Sequence, residues 1–99
     1  MIKTMIFLKR RDGLTREEFA RWWLERHRPL AERLPGLRKH AYNLLADGPF
    51  DAVVEQWFED EVAMRSSYDT KEGRAVVADS QLHVSVRHRV VADEYVFEV

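Results

Sequence analysis

Two stretches decide the fold: Met1–Arg10 reads MIKTMIFLKR, and Leu14–Leu34 reads LTREEFARWWLERHRPLAERL. In the first, both alternating sets are apolar or β-branched: Ile2, Thr4, Ile6 and Leu8 on one side, Met5 and Phe7 on the other. That pattern predicts a strand buried on both faces, ended by Arg11, Asp12 and Gly13. In the second, Thr15 and Glu18 have the spacing of a capping box, with Leu14 and Phe19 placed as a hydrophobic staple. Phe19, Trp22, Trp23, His27, Leu30 and Leu34 follow at helical spacing. At ~100° per residue they fall within an arc of about 140°, a helix face that packs on a sheet. Pro29 removes one backbone donor, which predicts a kink or restart near Arg28–Pro29.

Working outward, Pro35–Gly36 ends the helical region and Leu37–Ala46 reads as a second strand. Asp47–Gly48–Pro49 marks a tight turn, and Asp51–Glu59 reads as a third strand that completes a hairpin. Asp60–Tyr68 and Thr70–Ser80 read as two helical pieces broken near Asp69, with Thr70 capping the second. A last strand is expected within Arg87–Val99, ending in Tyr95, Val96 and Phe97. The order βαββαβ is that of an α+β, ferredoxin-like domain: a four-stranded antiparallel sheet with its helices on one face. Strand three is also apolar on both sets, Val53/Trp57 and Val54/Phe58, and no helix remains to cover the second face. A second copy of the same sheet is the simplest cover, so a homodimer is expected.

The chain has 99 residues, enough for one domain spanning 1–99. With 45% hydrophobic and 33% charged residues it is apolar enough for a core, which disfavours disorder. No stretch approaches the ~18 apolar residues of a membrane span, and no signal peptide is evident, so a cytoplasmic protein without membrane contact is expected. The absence of cysteine excludes thiolate, iron–sulfur and Cys-based zinc chemistry. The net charge of −1 hides two halves: residues 1–40 carry +6 and residues 41–99 carry −7. Basic residues alternate with acidic ones along the first helix instead of forming a stripe, which argues against nucleic acid as a partner.

The four glycines are isolated, so neither a dinucleotide fingerprint nor a phosphate-binding loop is present. The histidines at 27, 40, 83 and 88 include no pair with metal-ligand spacing backed by carboxylates, and no metal is expected. His27 stands out at the edge of the apolar stripe, beside Trp23 and just before Pro29. A group that titrates near neutrality, half-desolvated at a helix end, suits general acid–base work. The plainer reading is a helix-end histidine bonding a freed carbonyl. Trp22, Trp23 and Trp57 read either as walls for a flat aromatic ligand or as ordinary core. Tyr42 and Asn43, adjacent on a strand, must face opposite sides, so only one shares the helix-side cleft with His27. Tyr42, on the same strand set as His40, is the better catalytic partner.

The pattern Thr15-Arg-Glu-Glu-Phe19-x-x-Trp22-Trp23-x-x-Arg26-His27-x-Pro29-Leu30 resembles the EthD domain family. Leu34-Pro35-Gly36-Leu37-Arg38, Asn43, Trp57-Phe58, Glu72-Gly73-Arg74 and Asp79 extend the resemblance over most of the chain. It implies a dimeric α/β barrel of ferredoxin-like subunits, with a pocket between helices and sheet. It also implies kinship with methylmuconolactone isomerases, small polyketide cyclases and dehydratases, and proteins attached to ether-degrading oxidation systems. Many such relatives need no cofactor, and the histidine matching His27 is the usual functional candidate. Many carry a tyrosine in place of His40 and a polar residue in place of Tyr42, so the swap here leaves the second catalytic group open. The expectation is a cofactor-independent isomerase, cyclase or dehydratase acting on a hydrophobic small molecule of aromatic, polyketide-like or lactone type. His27 would move a proton, and Tyr42 or His83 would polarise the oxygen, with Trp23, Trp57, Phe19 and Asn43 as candidate substrate contacts. The alternatives are a monooxygenase-type or accessory protein of an oxidative pathway, including haem held by His27, and a non-catalytic binder of a hydrophobic molecule.

Overall fold

The computed structural model describes residues 1–99. Strands β1 (Ile2–Arg10), β2 (Lys39–Leu44), β3 (Ala52–Phe58) and β4 (Val84–Ala92) form one sheet in the order β2-β3-β1-β4. Every neighbouring pair is antiparallel. The first crossover holds α1 (Arg16–Trp22), a wide turn of π-helix (Trp23–His27) and α2 (Arg28–Ala31); the second holds α3 (Glu61–Tyr68) and α4 (Lys71–Gln81). This is the α+β ferredoxin-like fold that the chain order predicts. None of its helices is long and apolar enough to cross a membrane.

Local chemistry explains the boundaries. The Thr15 hydroxyl accepts from the Glu18 N–H while the Glu18 carboxylate accepts from the Thr15 N–H, closing both halves of the capping box. Asp60 and Thr70 cap α3 and α4 by the first of these bonds alone, accepting from the Ala63 and Gly73 N–H groups. Gly73 lets α4 approach α3: a Cβ there would lie 2.6 Å from the Ser67 carbonyl oxygen.

The break expected at Arg28–Pro29 takes a different form. Pro29 has no N–H to give to Glu25, and its ring crowds that carbonyl. The helix responds one turn earlier by widening, so that the Arg28 N–H reaches the Trp23 carbonyl across five residues. The extra residue in the wide turn delays the helical phase, and Ala31 instead of Leu30 becomes the fully buried residue.

The strand registers place Thr4, Ile6, Leu8, Ala52, Val54, Gln56 and Phe58 on the face under the helices. Ile6, Leu8, Phe19, Trp22, Trp23, Ala52 and Val54 form one core, and Ala31, Leu34 and Val76 a second between α2 and α4. Each large side chain buried there contributes roughly 1.5–3 kcal/mol. The opposite face, carrying Met5, Phe7, Trp57 and Val90, has no helix over it.

The last strand departs from expectation. It starts at Val84, three residues earlier than expected, and ends at Ala92, which pairs with Lys3. Beyond Lys3, β1 has only Ile2 left to offer, so the chain loses its ladder. Tyr95, Val96 and Phe97 lie exposed outside the sheet.

Candidate functional site

His27 closes the π turn and is 6% exposed, one of few polar side chains under the helices. Its Nδ1 lies 2.8 Å from Oδ2 of Asp79 on α4, and its Nε2 lies 3.4 Å from the Ser80 hydroxyl. A carboxylate only accepts, so Nδ1 carries the proton and the lone pair sits on Nε2. The same Asp79 oxygen accepts from the Trp22 indole N–H at 3.1 Å. Trp22 packs against the imidazole at 4.9 Å between centroids and stacks on His83 at 4.1 Å. His83 in turn donates from Nδ1 to the Asp79 carbonyl at 2.8 Å. Asp79 is thereby held from three sides, and it fixes both the tautomer and the orientation of His27.

Burial pushes the His27 pKa below its ordinary value, against the pull of the Asp79 carboxylate. Neighbouring positive charge on Arg87 acts in the same direction as burial. The imidazole is therefore neutral at pH 7, with its basic Nε2 facing the Ser80 hydroxyl.

His27 lines a small cavity of about 10 Å³ between the helices and the sheet, together with Trp23, Tyr42, Gln56, Tyr68 and Arg87 among others. Such a volume holds about one water. Burial drives the Tyr42 pKa up, so its phenol remains a protonated donor. The Tyr68 hydroxyl donates to Gln56 Oε1 at 3.0 Å. The Trp23 indole N–H is buried without an acceptor, although Trp23 itself is fully buried. The residues of this chamber thus include one base, His27, and the protonated Tyr42 phenol as a donor.

Of the residues singled out in the sequence, His27, Tyr42 and Trp23 meet in this cavity. His83 does not: it backs the site through Asp79 and lines an outer groove with Trp22. Phe19 is spent in the core, stacked on Trp23 at 5.8 Å. Trp57 and Asn43 lie on the opposite sheet face, because the registers pair Lys3 with Trp57 and Asn43 with Val53. There Trp57 donates to Glu94 under the Lys39 ammonium, and Asn43 donates to Glu55. Asp79, Ser80, Gln56, Tyr68 and Arg87 were not singled out as site residues. Gln56 had a readable signal, being polar in the strand set of Ala52, Val54 and Phe58, which otherwise points into the core.

The protein-family model described as "EthD domain" matches residues 11–84. Among solved structures, the chain is similar to an EthD-family protein from Bacillus halodurans, with TM-score 0.82, 21% identity, and coverage of 96% of this chain and 100% of that one. A dimeric ferredoxin-like protein of unknown function from Thermobifida fusca matches with TM-score 0.75 and 21% identity over 92% and 88% of the two chains. SnoaB, a cofactor-independent oxygenase from Streptomyces nogalater, matches with TM-score 0.74 and 12% identity over 97% and 94%. No curated protein sequence matches significantly.

Proposed function

The chain belongs to the EthD domain family, and from that membership we propose that residues 1–99 act as one small enzyme domain that moves a proton on a hydrophobic carbonyl compound without a cofactor. The observation that carries this reading is the His27–Asp79 pair, 2.8 Å apart, with an unprotonated Nε2 whose one contact is the Ser80 hydroxyl at 3.4 Å. Because the cavity holds only about one water, substrate enters by displacing the Tyr68 ring from its bond to Gln56, and His27 Nε2 then takes a proton from a carbon next to a carbonyl. Asp79 stabilises the imidazolium that forms. The Tyr42 hydroxyl donates to the oxygen on which negative charge develops. Returning the proton to another carbon completes an isomerisation; attack of the carbanion on a second carbonyl carbon of the same molecule, with the proton returned to the alkoxide oxygen, completes a cyclisation; returning the proton to a departing hydroxyl completes a dehydration. Aromatic, polyketide-like and lactone compounds all offer such acidic carbons.

The test is solvent deuterium exchange. A panel of such carbonyl compounds is incubated with the protein in D₂O and followed by proton NMR. Loss of a signal next to a carbonyl, abolished by His27→Gln, supports the reading. Exchange that is equally fast in His27→Gln overturns it, and a ligand bound without exchange marks a binder.

A second reading has the same carbanion passed to dioxygen. The likeness to the cofactor-independent oxygenase SnoaB favours it. Oxygen uptake in step with substrate loss separates the two.

We further propose that a second copy covers the helix-free sheet face, forming a homodimer. The dimeric relative from Thermobifida fusca supports this, as do Met5, Phe7, Val86 and Val90 projecting together from that face.

A further inference from the structure

Outside the His27 chamber, an open groove of about 750 Å³ runs between α3, α4 and β4. Its floor includes Arg87 and Arg89, which project from β4 toward the helices because the register sets them opposite Leu8 and Ile6. Neither has a carboxylate partner. Arg89 donates to the Thr4 hydroxyl at 3.0 Å and lies over the Tyr68 ring at 4.3 Å; Arg87 lies over the same ring at 5.6 Å. The other arginine in the groove, Arg65, is paired with Glu61 on its own helix. Two half-buried guanidinium groups side by side without a counter-ion are unusual, since buried charge is normally paired. Asp69 at the rim offsets one of them, which leaves the groove with a surplus of one positive charge. Met64, Val77 and Val91 supply its apolar walls.

Tyr68 and Arg87 line both this groove and the His27 chamber. Tyr68, held by its bond to Gln56, and Arg87 therefore form a shared wall between the two spaces.

We propose that the groove binds the carboxylate end of a hydrophobic organic acid, pairing it with Arg89 and Arg87, so that the substrate is a monoanionic acid whose carbonyl-bearing body reaches past Tyr68 toward His27. Planar guanidinium forks match a carboxylate in two-point geometry. The single surplus charge suits a monoanion better than a doubly charged phosphate. Placing the acid end here extends the His27 chemistry proposed above, and rests on it only for where the reacting carbon sits.

Titration calorimetry with 1-naphthoate, its neutral analogue 1-naphthamide and inorganic phosphate tests this. Naphthoate is expected to bind roughly tenfold or more tightly than naphthamide, as charge-assisted hydrogen bonds require. Arg89→Gln should abolish that preference, and Arg89→Lys should restore part of it; melting curves of both variants confirm that they fold. His27→Gln should leave the preference intact, so failure of the proton-transfer reading is distinguishable from failure of this one. Equal binding of acid and amide overturns the proposal. So does a preference that survives Arg89→Gln, phosphate binding as tight as naphthoate, or no naphthoate binding at millimolar concentration.

Discussion

The two faces of the sheet share the same strands and nearly the same apolar content, yet they treat polar atoms differently. Under the helices, Thr4, His27, Gln56 and Ser80 are all buried. On the helix-free face the polar side chains stay at the surface and pair: Lys3 with Glu55 at 2.9 Å and with Glu94 at 2.8 Å, and Asn43 with Glu55. Stability alone does not require a histidine, a glutamine and an unpaired arginine beneath a helix layer, where each carries a desolvation cost. Paired ions at a rim around apolar residues are what an association surface carries. On the proposed function, one face serves chemistry and the other contact.

The largest effect expected from this contrast is on turnover. His27→Gln keeps a hydrogen-bonding group and should cost about 1 kcal/mol of stability, while turnover of the true substrate falls by roughly 10²–10⁴. Calorimetric melting beside a rate assay checks this, and a loss of activity that merely tracks unfolding would erase the distinction between the faces. On the other face, Phe7→Glu sets a charge among Met5, Val86 and Val90. Light scattering at micromolar concentration should then report monomer or aggregate in place of the dimer, with the His27 geometry untouched. A wild-type protein that is monomeric under those conditions removes the contact role altogether.

Adjacent residues on β2 sharpen the comparison. Tyr42 faces the cavity and Asn43 the opposite side. Tyr42→Phe should reduce turnover by roughly 10²-fold, at the low end of the loss expected for His27→Gln, because one donor is lost and the base remains. Asn43→Ala should leave turnover unchanged. Equal losses at both positions would show that side of the strand does not decide function.

The smallest effect is on pH dependence. The folded chain holds His27 below the unfolded value near 6.5, so the unfolded state takes up the proton first as pH falls. The associated stability is complete above that value and is lost as pH drops through the folded pKa. Melting temperature should therefore decline on acidification, and His27→Gln should flatten that part of the curve. The acid limb of kcat/KM should have its midpoint below 6.5 for the same reason.

The sequence revealed most of the architecture because its signals are local. The alternation of Ile2–Leu8, the Thr15–Glu18 box and the Thr70 cap each act within a few residues. His27 was legible too, through its place on the Phe19–Trp23 stripe. Its partner was not: Asp79 lies 52 residues away on another helix, and only tertiary packing brings it to the imidazole. β4 was misplaced because its inward positions are Arg87 and Arg89, which hide the apolar alternation that marks a strand. Trp57 and Asn43 were misjudged as site residues for another reason. Composition shows that β3 is apolar on both sides, but register alone tells which side a given residue occupies.

The segment after β4 has a consequence for how the protein behaves in solution. Glu94 ties it to Lys3 and Trp57, and Tyr95, Val96 and Phe97 then stand about 80%, 76% and 81% exposed. A lone protomer thus presents three large apolar side chains beside an uncovered sheet face, and it is an adhesive species. Cover supplied by a second copy binds the native state and not the unfolded one, so mass action links folding to protein concentration. If the proposed dimer forms, the thermal midpoint depends on protein concentration. Diluting the sample should lower it, and a truncation after Asp93 should weaken that dependence.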